Sequence, residues 1–311
     1  MTALYIALAV LAFLVIITLA ISLWIYFLAF YNKKDRDVSR DVLKGPDYDP
    51  FHDEMVEIID RAIKIPFEEV RITSCDGRSL YGRIYFRKEG APFHIQFNGY
   101  KGNGIRDFSG GMQLALSAGG NVLLVDQRSH GKSDGHTISF GIKERFDVKS
   151  WAEFVIDRYG NDTKIFVEGV SMGAGTVLMA SDIGLPDNVR GIVADCPYSS
   201  PFDIVYDVGK RIIKIAPVIK PFVFTSALIF GHFNIFASSA VKAVKNTNIP
   251  ILLIHGTGDH FVPFSMSEQI YASNPERITF VSVEGAPHGL SCLKNHQKYE
   301  TAVKAFWEKN S

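Results

Sequence analysis

At 311 residues, with 47% apolar and 21% charged positions, the chain can bury a sizeable core, which excludes a disordered or low-complexity protein. Lysine plus arginine equals aspartate plus glutamate at 33 each, so no global field recruits nucleic acid or another polyanion. Cys75, Cys196 and Cys292 are odd in number and widely spaced, which supports neither a disulfide framework nor a structural zinc site and reads as free thiols in a reducing compartment.

From Ala3 to Tyr31 there is no charge, and the run ends in Trp24, Tyr26, Phe27, Phe30 and Tyr31 before Asn32-Lys33-Lys34-Asp35-Arg36. About 20 apolar residues cross a bilayer, aromatics suit its interface, and a charged cluster stops the span. A cleaved signal peptide is the competing reading; it needs a basic start, a shorter apolar run and a small-residue cleavage site. The sequence therefore predicts an uncleaved single-pass anchor over residues 1–32, in contact with membrane lipid. Lys33, Lys34, Arg36 and Arg40 follow the span and nothing basic precedes it, which puts the rest of the chain on the cytoplasmic side. Residues 33–65 read as a polar linker, marked by Gly45-Pro46 and Asp49-Pro50, and then a short helix over 54–65.

Val70–Thr73 and Leu80–Phe86 flank the turn signal Cys75-Asp76-Gly77 and read as an antiparallel hairpin. Apolar runs follow at 94–97, 122–125, 164–167, 191–194, 251–254 and 278–281, separated by helical stretches at 106–118, 146–159, 173–182, 265–272 and 296–309. Strands apolar throughout are covered on both faces, so this alternation predicts an α/β fold with a mostly parallel central sheet and helices on both faces, over residues 66–311. In such sheets ligands bind at the carboxyl ends of the strands.

After the strand at 164–167 comes Gly169-Val170-Ser171-Met172-Gly173, a G-x-S-x-G sequence whose glycines allow a sharp turn presenting the serine. A serine hydroxyl needs a histidine base, which needs an acid to orient it, in the chain order serine, acid, histidine. His288 follows the last strand in Glu284-Gly285-Ala286-Pro287-His288-Gly289. It is the candidate base, ahead of His232 in the insert, His255 at a strand end, His260 beside the acid and His296 at a helix start. Asp259 follows the preceding strand in a glycine-rich loop and is the candidate acid, with Asp195, one strand earlier, as the rival. The Met172 and Tyr100 amides are the candidate oxyanion donors. Such a site needs no metal or organic cofactor.

These residues, with Asn98-Gly99-Tyr100-Lys101-Gly102-Asn103 and Asp126-Gln127-Arg128-Ser129-His130-Gly131-Lys132-Ser133, resemble the bacterial membrane-anchored α/β-hydrolases, an esterase and serine-aminopeptidase-like group. The resemblance covers about residues 66–309 and implies the α/β-hydrolase fold and hydrolysis through Ser171, Asp259 and His288. It also implies a histidine where this chain has Asn98, which puts the support of the Tyr100 loop in question. Arg128 and His130 read as loop organisers. An insert over about 198–247 fits a cap on the site: it is rich in apolar residues such as Val218, Ile219, Phe222, Val223, Leu228 and Phe230, and carries Lys210, Arg211, Lys214 and Lys220. Pro217, Lys220 and Pro221 argue against a second span. The expected substrate is an apolar or lipid-like carboxylic ester, with a peptide as the runner-up and a non-catalytic binding module as the reading from another class.

Overall fold

The computed structural model describes residues 1–34, 37–213 and 218–311. Asp35 and Arg36 of the expected charged stop, and Lys214, Ile215 and Pro217 of the insert, lie outside them. The uncharged run forms one helix, α1 (Thr2–Ile25), which widens into a π-helical turn over Tyr26–Phe30. This 29-residue helical stretch exceeds the roughly 20 residues that cross a bilayer, and by length and composition it fits a membrane span or a signal sequence. Residues 1–17 are exposed, whereas Ser22, Ile25 and Phe30 are buried against the rest of the chain.

Backbone pairing fixes that end. The Phe30 carbonyl accepts from Ile138 N–H (2.7 Å), Asn32 N–H donates to the His136 carbonyl (2.8 Å), and Tyr31 bridges Thr137 antiparallel. The Tyr26 hydroxyl meets Thr137 Oγ1 at 2.7 Å. Phe30 is fully buried, edge-on to Phe140 and Phe233 with ring centroids 5.8 and 5.5 Å away. The carboxyl-terminal end of this apolar helix is thus docked on the globular body. Truncating so enclosed a ring costs about 3–5 kcal/mol, so Phe30→Ala is expected to lower the unfolding midpoint of the full-length protein in detergent by several degrees. An unchanged midpoint would show that residues 25–32 do not dock.

Helix α2 (His52–Ile63) starts two residues before the expected span, with Asp53 and Glu54 favourably placed against its amino-terminal dipole. Strands β1 (Glu68–Thr73) and β2 (Ser79–Tyr85) form the expected hairpin. Then come β3 (Phe93–Phe97), α3 (Gly104–Ser117), β4 (Asn121–Asp126), α4 (Glu144–Tyr159), β5 (Ile165–Val170), α5 (Met172–Met179) and β6 (Val189–Asp195). After β6 follow α6 (Pro201–Ile213), α7 (Ile219–Thr225), α8 (Ala240–Val244), β7 (Ile251–Gly256), α9 (Phe264–Ser273), β8 (Ile278–Val283), α10 (Ser291–Lys294) and α11 (His296–Asn310). The eight strands lie in the order β1-β2-β4-β3-β5-β6-β7-β8, parallel from β4 to β8 and antiparallel at the β1–β2–β4 edge.

Alternate residues of each strand feed the two faces of the sheet. In β4, Leu123 and Val125 join Trp151 of α4 and Val177 of α5, whereas Val122 and Leu124 join Met112 of α3 and Trp307 of α11. A third apolar cluster sits above the carboxyl ends of the strands, where Ile25 and Phe30 of the N-terminal helical stretch meet Ile204, Val205, Ile219 and Val223 of the insert. The insert does not act as one unit: α6 and α7 contribute to this upper cluster, whereas α8 returns to the sheet face and buries Ala240 and Val244 against the α4–α5 side.

Candidate active site

Strand β5 hands over to α5 at Ser171, whose backbone has φ +55° and ψ −114°, a sparsely populated conformation held by its surroundings. The flanking glycines are required by close approach. A Cβ on Gly173 would stand 1.9 Å from the Phe97 carbonyl oxygen, and one on Gly169 would stand 2.2 Å from the Gly173 carbonyl carbon. The Ser171 N–H donates to the Asp195 carbonyl (2.8 Å), which ties the turn to the end of β6.

His288, in the loop after β8, places Nε2 2.8 Å from Ser171 Oγ and Nδ1 2.6 Å from Asp259 Oδ2. With a carboxylate at Nδ1, that nitrogen carries the proton and Nε2 is left to accept from the serine hydroxyl. Asp259 follows β7. Its Oδ1 accepts from the Phe261 and Val262 N–H groups at 2.8 Å each, and its Oδ2 also meets His255 Nε2 at 3.1 Å. Burial works to raise the Asp259 pKa, but the hydrogen bonds and charge of His255 and His288 outweigh it and hold the carboxyl well below the usual carboxylate range. His255 Nε2 also faces the Val262 carbonyl (3.1 Å) and Nδ1 meets Ser267 Oγ (2.6 Å), so this buried ring braces Asp259. In the sequence it had signalled only a loop-lining residue.

The rival acid, Asp195, accepts from Ser291 Oγ at 3.2 Å, and among the described residues it makes no hydrogen bond to His288. Burial pushes its carboxyl up to about 6. The folded chain therefore holds this proton to about pH 6, whereas an unfolded aspartate releases it near about 3.9, so stability falls as pH rises through that window. Asp195→Asn, which mimics the protonated acid, is expected to stabilise by roughly 3 kcal/mol above pH 7 and by nothing below about pH 4. Denaturant titrations across that range give the difference; a constant difference would contradict the assignment.

The loop after β3 passes close to the serine, a Cβ on Gly99 lying 3.6 Å from Ser171 Cβ. Met172 opens α5, so its N–H has no partner within the helix. Either side of Tyr100, the Gly99 N–H donates to Asp107 Oδ2 (2.8 Å) and the Lys101 N–H to His130 Nε2 (3.0 Å). Among the described residues the Tyr100 N–H donates to nothing. Asn98 is buried and secures the loop: its Oδ1 accepts from Gln127 N–H (3.0 Å), its carbonyl from Gln127 Nε2 (2.6 Å), and its Nδ2 donates to the Gly99 carbonyl (2.8 Å). The asparagine thus supplies its own bracing.

Accepting from Lys101 leaves His130 Nε2 unprotonated, and Nδ1–H donates to the Arg128 carbonyl (2.9 Å). Burial, the dominant influence, lowers the His130 pKa and keeps the ring neutral. Arg128 is buried in an ion pair with Asp147 (2.5 and 2.6 Å) and reaches Asp76 in the β1–β2 turn (2.9 and 3.0 Å). Both residues organise loops around the site. His296 pairs with Glu54 at the surface (2.9 Å), and His232, in the insert, is exposed.

One group of potential metal ligands occurs among the described residues, Cys196, Asp259 and His288, with donor atoms within 4.8 Å of one another. Asp259 and His288 are already bonded to each other, and burial pushes the Cys196 thiol up, which keeps it protonated and a poor ligand. The donor set fits the hydrogen-bonded chain better than an ion.

Two cavities meet at Ser171, sharing Tyr100 and Phe261 as walls. The larger, about 690 Å³, runs beneath α2, α3 and α11 and includes Asp195, Arg106 and Cys292. The smaller, about 290 Å³, is lined by the insert, the α1 end and Phe140.

Known proteins agree with this architecture. A family model described as the alpha/beta hydrolase fold matches residues 98–215. YqkD, an uncharacterized protein of Bacillus subtilis, is similar at 27% identity over 197 residues, 63% of this chain and 64% of its own, so the chain spans less than two thirds of that relative. The Pyrococcus furiosus esterase Pf2001 superposes with a TM-score of 0.64 at 24% identity, covering 80% of this chain and 93% of the esterase. The dipeptidyl peptidase 4 of Porphyromonas gingivalis superposes at 0.58 and 16% identity, covering 79% of this chain and 36% of the peptidase. By its sheet order, its strand-to-helix turn at Ser171 and these matches, the chain has the alpha/beta hydrolase fold.

Proposed function

We propose that the chain is a membrane-anchored serine hydrolase that cleaves carboxylic esters with an apolar acyl group. The observation that carries this reading is the continuous chain from Ser171 Oγ through His288 to Asp259, with contacts of 2.8 and 2.6 Å. Ser171 Oγ adds to the ester carbonyl as its proton passes to His288 Nε2. The Met172 and Tyr100 N–H groups receive the oxyanion. Collapse breaks the bond to the alcohol, which leaves with the proton returned by His288; water then attacks the acyl-enzyme by the same route and releases the acid and free Ser171.

The anchor reading is supported by Ile25 and Phe30, which lie inside the helical run yet are buried by the body of the protein. Lys33, Lys34 and Arg40 after the span favour a cytoplasmic body. A peptide substrate is the second reading, favoured by the carboxyl of Asp195 in the larger cavity, which suits a substrate amine. A panel of nitrophenyl esters, acyl thioesters and aminoacyl anilides offered to the full-length enzyme in detergent decides between them. Turnover of medium-chain esters well above the anilides is expected; preference for the anilides, or for acetate alone among the esters, would contradict the ester reading.

A further inference from the structure

The smaller cavity is walled by two elements that sequence spacing keeps far apart. Ile25, Leu28 and Ala29 of the anchor form one side, and Val205, Val208 and Val223 of the insert are among the residues forming the other. The widened turn at Tyr26–Phe30 has a direct consequence here. Its Ala29 carbonyl accepts from the Tyr100 hydroxyl (2.9 Å), and its Leu28 carbonyl lies 3.4 Å from Lys101 Nζ. The end of the anchor therefore holds the same loop that passes Ser171 at Gly99 and carries the Tyr100 amide proposed above as an oxyanion donor.

Outside the cavity, both elements expose apolar side chains. Leu23, Trp24, Phe27 and Leu28 are exposed on the anchor, and Leu228 and Ile229 are exposed on the turn after α7. The two elements touch, with the Tyr26 and Phe230 rings 6.3 Å apart. Exposed aliphatic and aromatic side chains next to a bilayer-spanning stretch are seated at the hydrocarbon boundary. A chain leaving the cavity between anchor and insert would pass from protein wall to lipid without crossing water.

We propose that the anchor is part of the acyl-binding site: the acyl chain of a membrane-lipid ester lies between α1 and the insert and reaches Ser171 from the bilayer, while the alcohol portion occupies the larger cavity. This rests on the hydrolase reading above and adds to it the substrate's source and the wall that selects it. The binding cost is modest, because the chain exchanges one apolar environment for another and only its ordering opposes entry.

The test uses the full-length enzyme in phosphatidylcholine vesicles, reacted with a long-chain alkyl fluorophosphonate carrying a diazirine at the chain terminus, then photolysed and mapped by mass spectrometry. Crosslinks within residues 25–29, 204–209 or 219–223 are expected. Crosslinks at Met55, Leu114 or Val303, which line the larger cavity, would overturn the proposal. Absence of any adduct on Ser171 would instead overturn the hydrolase reading beneath it. As an independent arm, Val223→Trp fills the smaller cavity, and the ratio of kcat/KM for decanoyl over acetyl esters is expected to fall about 10-fold or more. Because that ratio is taken within one protein, partial misfolding cancels, and an unchanged ratio would count against the pocket.

Discussion

Ser171→Ala is expected to lower kcat for ester hydrolysis by about 10⁶-fold while leaving the fold intact. On the proposed mechanism the loss is large because, among the described residues, no second nucleophile stands in place of Ser171: Ser199 and Ser291 are buried, and the Cys196 thiol is held protonated by burial. Alanine removes one oxygen at a half-buried position and retains the backbone contact from the residue 171 N–H to the Asp195 carbonyl. Thermal unfolding close to that of the wild type, with only the residual turnover of the oxyanion donors and binding, is the expected pair of results. Turnover within about tenfold of the wild type would place the chemistry on another residue.

Asp259→Asn is expected to cost about 10⁴-fold in kcat, and its cause can be traced atom by atom. The carboxylate accepts four hydrogen bonds: Phe261 and Val262 N–H at Oδ1, and His255 and His288 at Oδ2. An amide has one acceptor oxygen and one donor nitrogen. In one orientation its NH₂ faces the two imidazoles and turns His288 to the tautomer whose Nε2 cannot take the serine proton. In the other it faces two backbone donors. Either way buried donors oppose one another, so a stability loss of about 2–4 kcal/mol should accompany the kinetic one. Measuring kcat and the unfolding midpoint on the same preparation checks both. A variant with normal stability and activity would mean that Asp259 does not orient the base.

The central strands of this fold were legible because burial on both faces favours runs without polar positions, such as Val122–Val125 and Ile251–Leu253, bounded by turn residues. The turn at Ser171 was legible because its two glycines answer to backbone contacts below 2.5 Å for any Cβ, a demand that leaves a mark on the sequence. Asp259 and His288 could be picked out from neighbouring acids and histidines by chain order and by the strands they follow. Their hydrogen bonds could not, since distance between loops is set by packing of the whole sheet. The exchange of β3 and β4 in the sheet order likewise carries no local signal.

What the sequence concealed lies mostly at contacts between distant segments. The braced position of His255 depends on Ser267 of α9 and on the Val262 carbonyl, which the path of the loop after β7 brings to the ring. Asn98 departs from the resemblance at the Tyr100 loop, but Gln127, the residue after β4, supplies it with two partners. The docking of the N-terminal helix had a faint signal in the excess of apolar length beyond a bilayer's needs. Its surplus turns, rich in aromatics, are the ones that pack on the 129–138 loop and the insert, whereas interfacial aromatics were the simpler explanation of the same residues.

The hydrolase reading is tested most directly by labelling the full-length enzyme with a fluorophosphonate and mapping the adduct by mass spectrometry. It predicts one adduct per chain, on Ser171, absent in Ser171→Ala and strongly slowed in His288→Ala. Labelling that persists in Ser171→Ala, or a folded wild type that takes up no label, would contradict it.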